Sequence, residues 1–539
     1  MVQCPKCGGS LKYQIDQKKV CCDYCSFKAS PAAYIDSSGG EQDEYEVTVF
    51  HCPHCGGEIY TTDNSATGFC SYCGAFTTLE SRLESVKKPQ YIIPFRINKS
   101  ECAEIYSKYV AGKFLAPKDF RDKKNLDRFR GIYMPYWIYS VNFDGPLGIQ
   151  GTKSQHRQDC TVIDYYTLSL TVKMTVHGIS FDAASGFNDE ISAQIAPYDF
   201  RDVKPFSPGY LCGFYADLED TDSSVYENGA KLIGSQAIRG EIEGRELMGD
   251  LRVEEDQYDR IQRTVSGITA KRAMFPVWFM SYRKKDRVAY AIVNGETGKM
   301  QADIPVDLKK LLFLLVAIAL PTFFLLNLFL ILQPKEALVS ALLTGIITGF
   351  GFLKIFQLVR DQSMHYGDWG YQQKHYNNIF SYNKRGLDDY KVKKKEKIQL
   401  NGLMELVFTI LYMVLYGYYW VAKEIFFVVS PNFIILAGIL MLLALIYSAL
   451  GTFRLYGSYQ DKTILFVMCP LLLLEIISIL PLFMGVPYDE ELYYYVGCLA
   501  VFFGAFVAAT VSIAKYNVLT TRALPQLERK GGNDHAPEL

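Results

Sequence analysis

Residues 4–9 read CPKCGG and residues 52–57 read CPHCGG, and each opening Cys-x-x-Cys is followed by a second, Cys22–Cys25 and Cys70–Cys73, with fourteen residues between the two pairs. All four positions shift by the same 48 residues, which marks an internal duplication. A Cys-x-x-Cys turn delivers two thiolates from one tight bend, and the glycines after it allow close backbone approach. Two such turns close one tetrahedral site. The spacing therefore predicts two structural Zn2+ sites, Cys4, Cys7, Cys22 and Cys25 in the first and Cys52, Cys55, Cys70 and Cys73 in the second. Cys21 competes with Cys22 as a ligand, but its counterpart in the second copy is Phe69, so the repeat favours Cys22. His51 and His54 flank the second knuckle and are not needed where four cysteines are present.

These motifs divide the N-terminal region into zinc ribbon 1 (1–35), an acidic linker (36–50) containing DSSGGEQDEYE, and zinc ribbon 2 (51–85). Units this short bury too little apolar area to fold alone, so each metal contributes on the order of 10 kcal/mol or more of folding free energy. The linker composition predicts ribbons that hinge independently. No βαβ pattern surrounds the Cys-x-x-Cys pairs, which argues against redox pairs of thioredoxin type. The N-terminus has no apolar signal segment, so the thiols are expected in a reducing compartment.

The chain has 539 residues and a net charge of −1, so composition alone points to no nucleic-acid or anionic-lipid partner. The first ribbon carries Lys6, Lys12, Lys18, Lys19 and Lys28, whereas His51 to Glu80 contain no Lys or Arg. A tandem nucleic-acid grip needs basic and stacking residues on both copies. Protein partners are therefore expected, and nucleic acid is not.

Residues 90–306 read as a cytoplasmic α+β domain with an antiparallel sheet. Asn98 and Glu101 frame a helix start of capping-box type, with a stop at Gly112. GIYMPYWIYSVNF (131–143) and AMFPVWFMSYR (273–283) read as two related strands sharing Pro-x-Trp, DYYTLSLTVKMTVHGISFD (164–182) as further strand, and the turn at Asn294–Gly295 as a hairpin. A polar stretch from about 221 to 260 reads as helical. There is no phosphate loop, nucleophile elbow, His-Glu-x-x-His or triad, and isolated residues such as His177, Cys102 and Cys212 read as packed or solvated, so no enzyme is expected.

YIIPFRINKSECAEIYSKYVAGKFLAPKDF (91–120), GIYMPYWIYSVNFDG (131–145), IAPYDFRDVKPFSPGYLCGFYAD (195–217) and FPVWFMSYRKKDRVAYAIVNGETGKM (275–300), in this order behind the knuckles, resemble a bacterial family of transcription-factor-IIB-type zinc-ribbon proteins, also loosely labelled primosomal helicase-like. The resemblance covers roughly residues 1 to 305. It implies a membrane-associated adaptor working beside phage-shock-type and flotillin-like proteins in envelope stress. It implies no helicase, because no nucleotide-binding motif is present.

Half of the residues, 49%, are apolar, and the excess lies after about residue 310. Six runs at 311–332, 337–359, 403–421, 433–453, 463–484 and 492–514 are long enough to cross a hydrocarbon core of about 30 Å. They define a transmembrane region at 310–515, followed by a tail at 516–539. Lys309, Lys310, the KVKKKEK loop, Arg454, Lys462, Lys515 and Arg522 then share one side, so both termini are expected in the cytoplasm of a bacterial multi-pass membrane protein. Pro470 and Pro481 flank Glu475 in the fifth run and could break the helix around a costly intramembrane carboxylate, although a carboxyl that is protonated or bonded to a neighbouring hydroxyl as a packing device is the preferred reading.

The fold class expected is thus multi-domain, with two N-terminal zinc ribbons, the α+β domain and a C-terminal six-helix transmembrane bundle. The function expected is a membrane-anchored adaptor or scaffold that recruits cytoplasmic or membrane-associated proteins. The alternative is a transporter or channel regulated by the ribbons, with Glu475 in its path.

Overall fold

The computed structural model describes residues 4–34, 44–61, 67–70, 72–78, 80–122, 127–157, 160–244, 251–253, 259–284, 287–329, 334–363, 368–370, 431–484 and 491–523. In the first ribbon, β1 (Leu11–Gln14), β2 (Lys19–Cys22) and β3 (Lys28–Ala29) form a small antiparallel sheet. Leu11 and Tyr13 turn inward while Lys12 faces solvent, the period-two alternation of a half-buried strand.

The second ribbon is built differently around its matching cysteines. Its strand β4 (Glu44–His51) takes in the second half of the segment read as linker. β4 pairs with β5 (Glu58–Thr61) and with β8 (Glu80–Lys87), while β6 (Thr67–Phe69) pairs with β7 (Phe76–Thr78).

Beyond the ribbons, β9 (Tyr91–Ile92) leads into α1 (Lys99–Ala111). Its capping box is complete: Asn98 Oδ1 accepts the Glu101 N–H, Glu101 Oε2 accepts the Asn98 N–H, both at 2.9 Å, and the helix stops at Gly112. A long hairpin follows, β10 (Arg130–Arg157) with β11 (Cys160–Asp182). After α2 (Asp189–Ile195) come β12 (Lys204–Pro205), β13 (Tyr215–Asp217), α3 (Glu227–Glu243), β14 (Arg252–Val253), β15 (Val265–Lys284), β16 (Arg287–Asn294) and β17 (Met300–Ala302). The helical reading of 221–260 shrinks to α3, because Gly244 ends the helix and β14 returns to pair with β10.

The two Pro-x-Trp segments are sheet neighbours, with Gly131 opposite Trp278 and Trp137 opposite Arg272. The central sheet runs β12-β9-β15-β10-β13-β5-β4-β8, antiparallel except for β9 with β15 and β10 with β13. Tyr133 and Met274 bury one face with α1 residues Cys102, Tyr106 and Val110, and with Leu11 and Tyr13 of the first ribbon. Tyr136 and Phe275 bury the other with Ile191 and Ile195 of α2. Burial on both faces is why these strands read as nearly continuous apolar runs. Cys102 and Cys212 are buried in the core, and exposed His177 makes a 2.9 Å contact to Ser140, as expected of packed or solvated residues.

Among the described residues five long helices follow, α4 (Leu308–Phe329), α5 (Pro334–Ser363), α6 (Pro431–Tyr459), α7 (Lys462–Met484) and α8 (Glu491–Leu519), and then β18 (Arg522–Ala523). Among the described residues, four helices are long and apolar enough to cross a membrane, over Ala337–Ser363, Met441–Tyr459, Lys462–Ile479 and Leu492–Leu519. The expected six-helix bundle is corrected to four such helices. The run at 311–332 is met by α4 only as far as Phe329, with several side chains outside the described residues, and the run at 403–421 lies wholly outside them. The prolines beside Glu475 do not break the helix: α7 is continuous through Pro470 and Pro481.

The charged ends of these helices gather beside the sheet domain. Asn517 holds Val306 through two hydrogen bonds of 2.8 and 3.0 Å, and β18 pairs with β16. Arg287 donates to the Val518 carbonyl at 2.6 Å and to Thr521 Oγ1 at 2.7 Å, capping the C-terminal end of α8 with a cation. Arg360 reaches Ser458 at 3.1 Å, and Lys515 pairs with Asp461 at 2.6 Å. The start of α4, the ends of α5, α6 and α8, and the start of α7 therefore share the domain's side.

Candidate metal centres

Both sets of predicted ligands converge. Cys4 Sγ lies 3.5 Å from Cys25 Sγ, and Cys7 Sγ 3.4 Å from Cys22 Sγ. In the second group Cys52 and Cys73 are 3.8 Å apart, and Cys55 and Cys70 3.7 Å. Within each group all four sulfurs lie within 4.8 Å of one another, so either could hold a metal ion. A tetrahedron with Zn–S bonds of about 2.3 Å sets its sulfurs about 3.8 Å apart. The donor sets fit a four-coordinate thiophilic cation with no open position.

The backbone explains the sequence of the knuckle. The Gly8 N–H donates to the Cys4 carbonyl at 2.8 Å, and the Cys4 N–H to the Gly9 carbonyl at 2.9 Å. The same pair of bonds recurs at Cys52 with Gly56 and Gly57, and at Cys70 with Gly74 and Ala75. Gly8, Gly56 and Gly74 sit at φ of +70, +73 and +70°, where a side chain would be strained. The fourth knuckle has Ser26 at this place and keeps the Cys22 N–H bond to the Phe27 carbonyl at 3.1 Å.

The thiols of the second group cannot all ionise unaided. Hydrogen bonds from Cys55, Cys70 and Cys73 draw Cys52 far below the ordinary thiol range, and contacts with Cys52 drive Cys55 and Cys70 far above it. A dication lets four thiolates coexist at such a place.

The two centres differ in their surroundings. All four cysteines of the second are buried, whereas Cys7 of the first is exposed. The difference is sharpest at one repeated position, because Tyr24 stands between Cys22 and Cys25 as Tyr72 stands between Cys70 and Cys73. Tyr24 is 77% exposed and Tyr72 only 3%. The Tyr72 hydroxyl donates to Asp217 of β13, its carbonyl accepts from Tyr290 at 2.9 Å, and its ring lies 6.1 Å from Phe279. Strand β5 adds to the sheet beside β13, with Tyr60 opposite Ala216. The second ribbon is therefore part of the central sheet and not a hinged module.

The first ribbon is held on the side that packs into the core of the sheet domain. Its Tyr13 N–H donates to the Cys212 carbonyl at 2.9 Å, and Ser207 Oγ donates to the Pro31 carbonyl at 2.6 Å. Gly209 is required there, since a Cβ on it would stand 2.7 Å from Pro31 O. The opposite face leaves Pro5, Lys6, Cys7, Asp23, Tyr24 and Ser26 exposed. Sequence reading missed the Tyr24/Tyr72 pair, although the 48-residue shift aligns the two tyrosines. It also missed Asp217, which no local pattern connects to the knuckle.

In the helical region, Glu475 is 1% exposed, with no hydrogen-bond partner on Oε1. It fits against Gly345 of α5, where a methyl group would collide with Oε1, and beside Val501 of α8. Gly349 and Gly504 likewise let α5 and α8 approach Met468 and Leu471 of α7.

Fold and sites together define a membrane-associated protein that carries paired tetracysteine centres on a sheet domain. The chain is similar to the uncharacterized protein YdjG of Bacillus subtilis (strain 168), with 23% identity over 350 residues that cover 60% of this chain and 96% of that protein. No family model matches the chain, and no solved structure matches it.

Proposed function

We propose that the protein is a non-enzymatic, membrane-anchored adaptor whose first ribbon docks cytoplasmic or membrane-associated proteins, while its second ribbon is part of the frame. The observation that carries this reading is the divergence of Tyr24 and Tyr72. In the second copy the tyrosine docks on a carboxylate-bearing strand of its own chain. In the first copy the same residue is left on an open face. A partner segment presenting a carboxylate fits that face, since Lys12 already neutralises the neighbouring Asp23 at 2.6 Å. Zn2+ is the ion proposed for both centres, by ligand type and geometry.

The membrane is proposed to be the bacterial cell membrane, with the domain and both termini on the cytoplasmic side, where thiols stay reduced and basic loops accumulate. The resemblance to transcription-factor-IIB-type zinc-ribbon proteins makes phage-shock-type and flotillin-like proteins the proposed partners.

Affinity purification of the full-length protein from mildly solubilised membranes tests the reading. Such proteins should co-purify with the wild type and be lost with Tyr24→Ala while zinc content is unchanged; equal recovery with both forms refutes the docking face. A second reading, a transporter or channel, is favoured by buried, unpartnered Glu475. It predicts liposome flux that Glu475→Gln abolishes, whereas an adaptor shows no flux to lose.

A further inference from the structure

Just beyond α5, residues Asp368, Trp369 and Gly370 sit against the sheet domain. The Trp369 N–H donates to Asp189 Oδ2 at 2.6 Å, and Asn188 Nδ2 donates to Asp368 Oδ2 at 3.0 Å. A Cβ on Gly370 would stand 3.0 Å from Thr221 Oγ1 and 3.1 Å from the Tyr226 hydroxyl, so the segment is closely seated. The segment thereby joins a membrane helix to α2 of the domain.

The seat is made of carboxyl groups. Asp182, at the end of β11, is 2% exposed, lies beside Asp189 and Ser192, and has no partner on Oδ1. Asp189, the first residue of α2, also accepts the Tyr226 hydroxyl at 2.8 Å. Asp368 arrives as a third acidic group and is 4% exposed. The titratable groups acting on this trio are Tyr136 from β10, Tyr198 from the loop after α2 and Tyr226 ahead of α3. Asp182 is buried and Asp189 half-buried, and two neighbouring carboxyl groups in such a place do not both ionise freely, so protons are retained between them. Burial, reinforced by Asp368, lifts the Asp189 carboxyl to about 7, and burial holds Asp182 well above the ordinary carboxylate range.

We propose that Asp368–Gly370 is a proton-gated latch between the membrane helix α5 and the sheet domain, closed while Asp189 carries its proton beside Asp182 and weakened when that proton is lost. The latch goes beyond the adaptor reading and does not depend on it. The closed state binds the proton more tightly than the open state, in which the carboxyl groups regain water. Closure is therefore strongest in acid and weakens as pH rises from the ordinary carboxyl range toward about 7, then levels off. Its equilibrium constant falls by at most about tenfold per pH unit in that window. A drop in cytoplasmic pH would tighten the link between membrane and domain.

Hydrogen exchange of the full-length protein in lipid nanodiscs tests this, with labelling times scaled for the chemical pH dependence of exchange. Between pH 5.5 and 7, protection of the Trp369 amide and of the 185–192 peptide should fall with rising pH, by up to about tenfold per unit, while β10 and β15 amides stay constant. Asp189→Asn should flatten the profile at high protection. Asp368→Asn removes the charge that reinforces burial and should move the fall to lower pH. A flat wild-type profile, or an unchanged profile in either variant that keeps β10 and β15 protection, overturns the latch.

Discussion

The docked tyrosine of the second ribbon allows a quantitative comparison within one chain. Tyr72→Phe removes one hydroxyl while leaving the ring against Phe279. The lost bond runs to buried Asp217, whose other carboxylate oxygen accepts the Leu218 N–H at 2.9 Å. A hydrogen bond to a charged group contributes about 1.5–3 kcal/mol, and leaving its acceptor buried adds cost. Local opening of the Cys70–Cys73 knuckle should therefore become roughly ten- to a hundredfold more frequent. Tyr24→Phe changes a hydroxyl exposed to water and should alter opening by less than about 0.5 kcal/mol. The assay is transfer of zinc from the full-length protein to a chromogenic chelator under conditions where opening limits the rate. Two phases are expected, and only the slower, buried one should quicken with Tyr72→Phe. Equal acceleration by the two variants, or none by Tyr72→Phe, would refute the claim that the second ribbon is fastened through this residue.

Other outcomes follow from the same structure. Cys4→Ser should lower zinc content from two ions to one and leave the central sheet protected from proteolysis, whereas Cys52→Ser should also expose that sheet, because its site is built into it. Burial raises the Glu296 carboxyl to about 7, so its contribution to stability is fully present below the ordinary carboxyl value and is lost as pH approaches 7; Glu296→Gln should reduce the fall in urea midpoint between pH 5 and 7. Gly345→Ala drives a methyl group into the Glu475 carboxylate and should destabilise the helical bundle by about 1–3 kcal/mol, seen as a lower aggregation temperature in detergent. Arg287→Ala removes donors from the carbonyls of Val518 and Thr521 and should raise hydrogen exchange in β18 without affecting β10.

What the sequence made legible was local. Cysteine spacing specified both ligand sets, Asn98 and Glu101 specified the start of α1, and the aromatic Pro-x-Trp runs specified the paired strands β10 and β15. Long-range partners were not legible. Nothing near Tyr72 announces that β5 pairs with Tyr215–Asp217, and an acidic, Ser/Gly-bearing stretch reads as linker although Glu44–His51 is fixed by β8. Prolines at 470 and 481 suggest breaks by their missing N–H groups, yet α7 continues through both. The trio Asp182, Asp189 and Asp368 joins positions separated by most of the domain and one membrane helix, which no periodicity reveals.

The adaptor reading turns on whether the exposed face of the first ribbon touches another protein. A photoreactive phenylalanine analogue at position 24 of the full-length protein, irradiated in intact membranes, measures this directly, with position 72 as the internal control. The account predicts intermolecular adducts with discrete proteins from position 24 and intramolecular adducts to the sheet from position 72. Failure of position 24 to yield an intermolecular adduct, with position 72 reacting as expected, would contradict it.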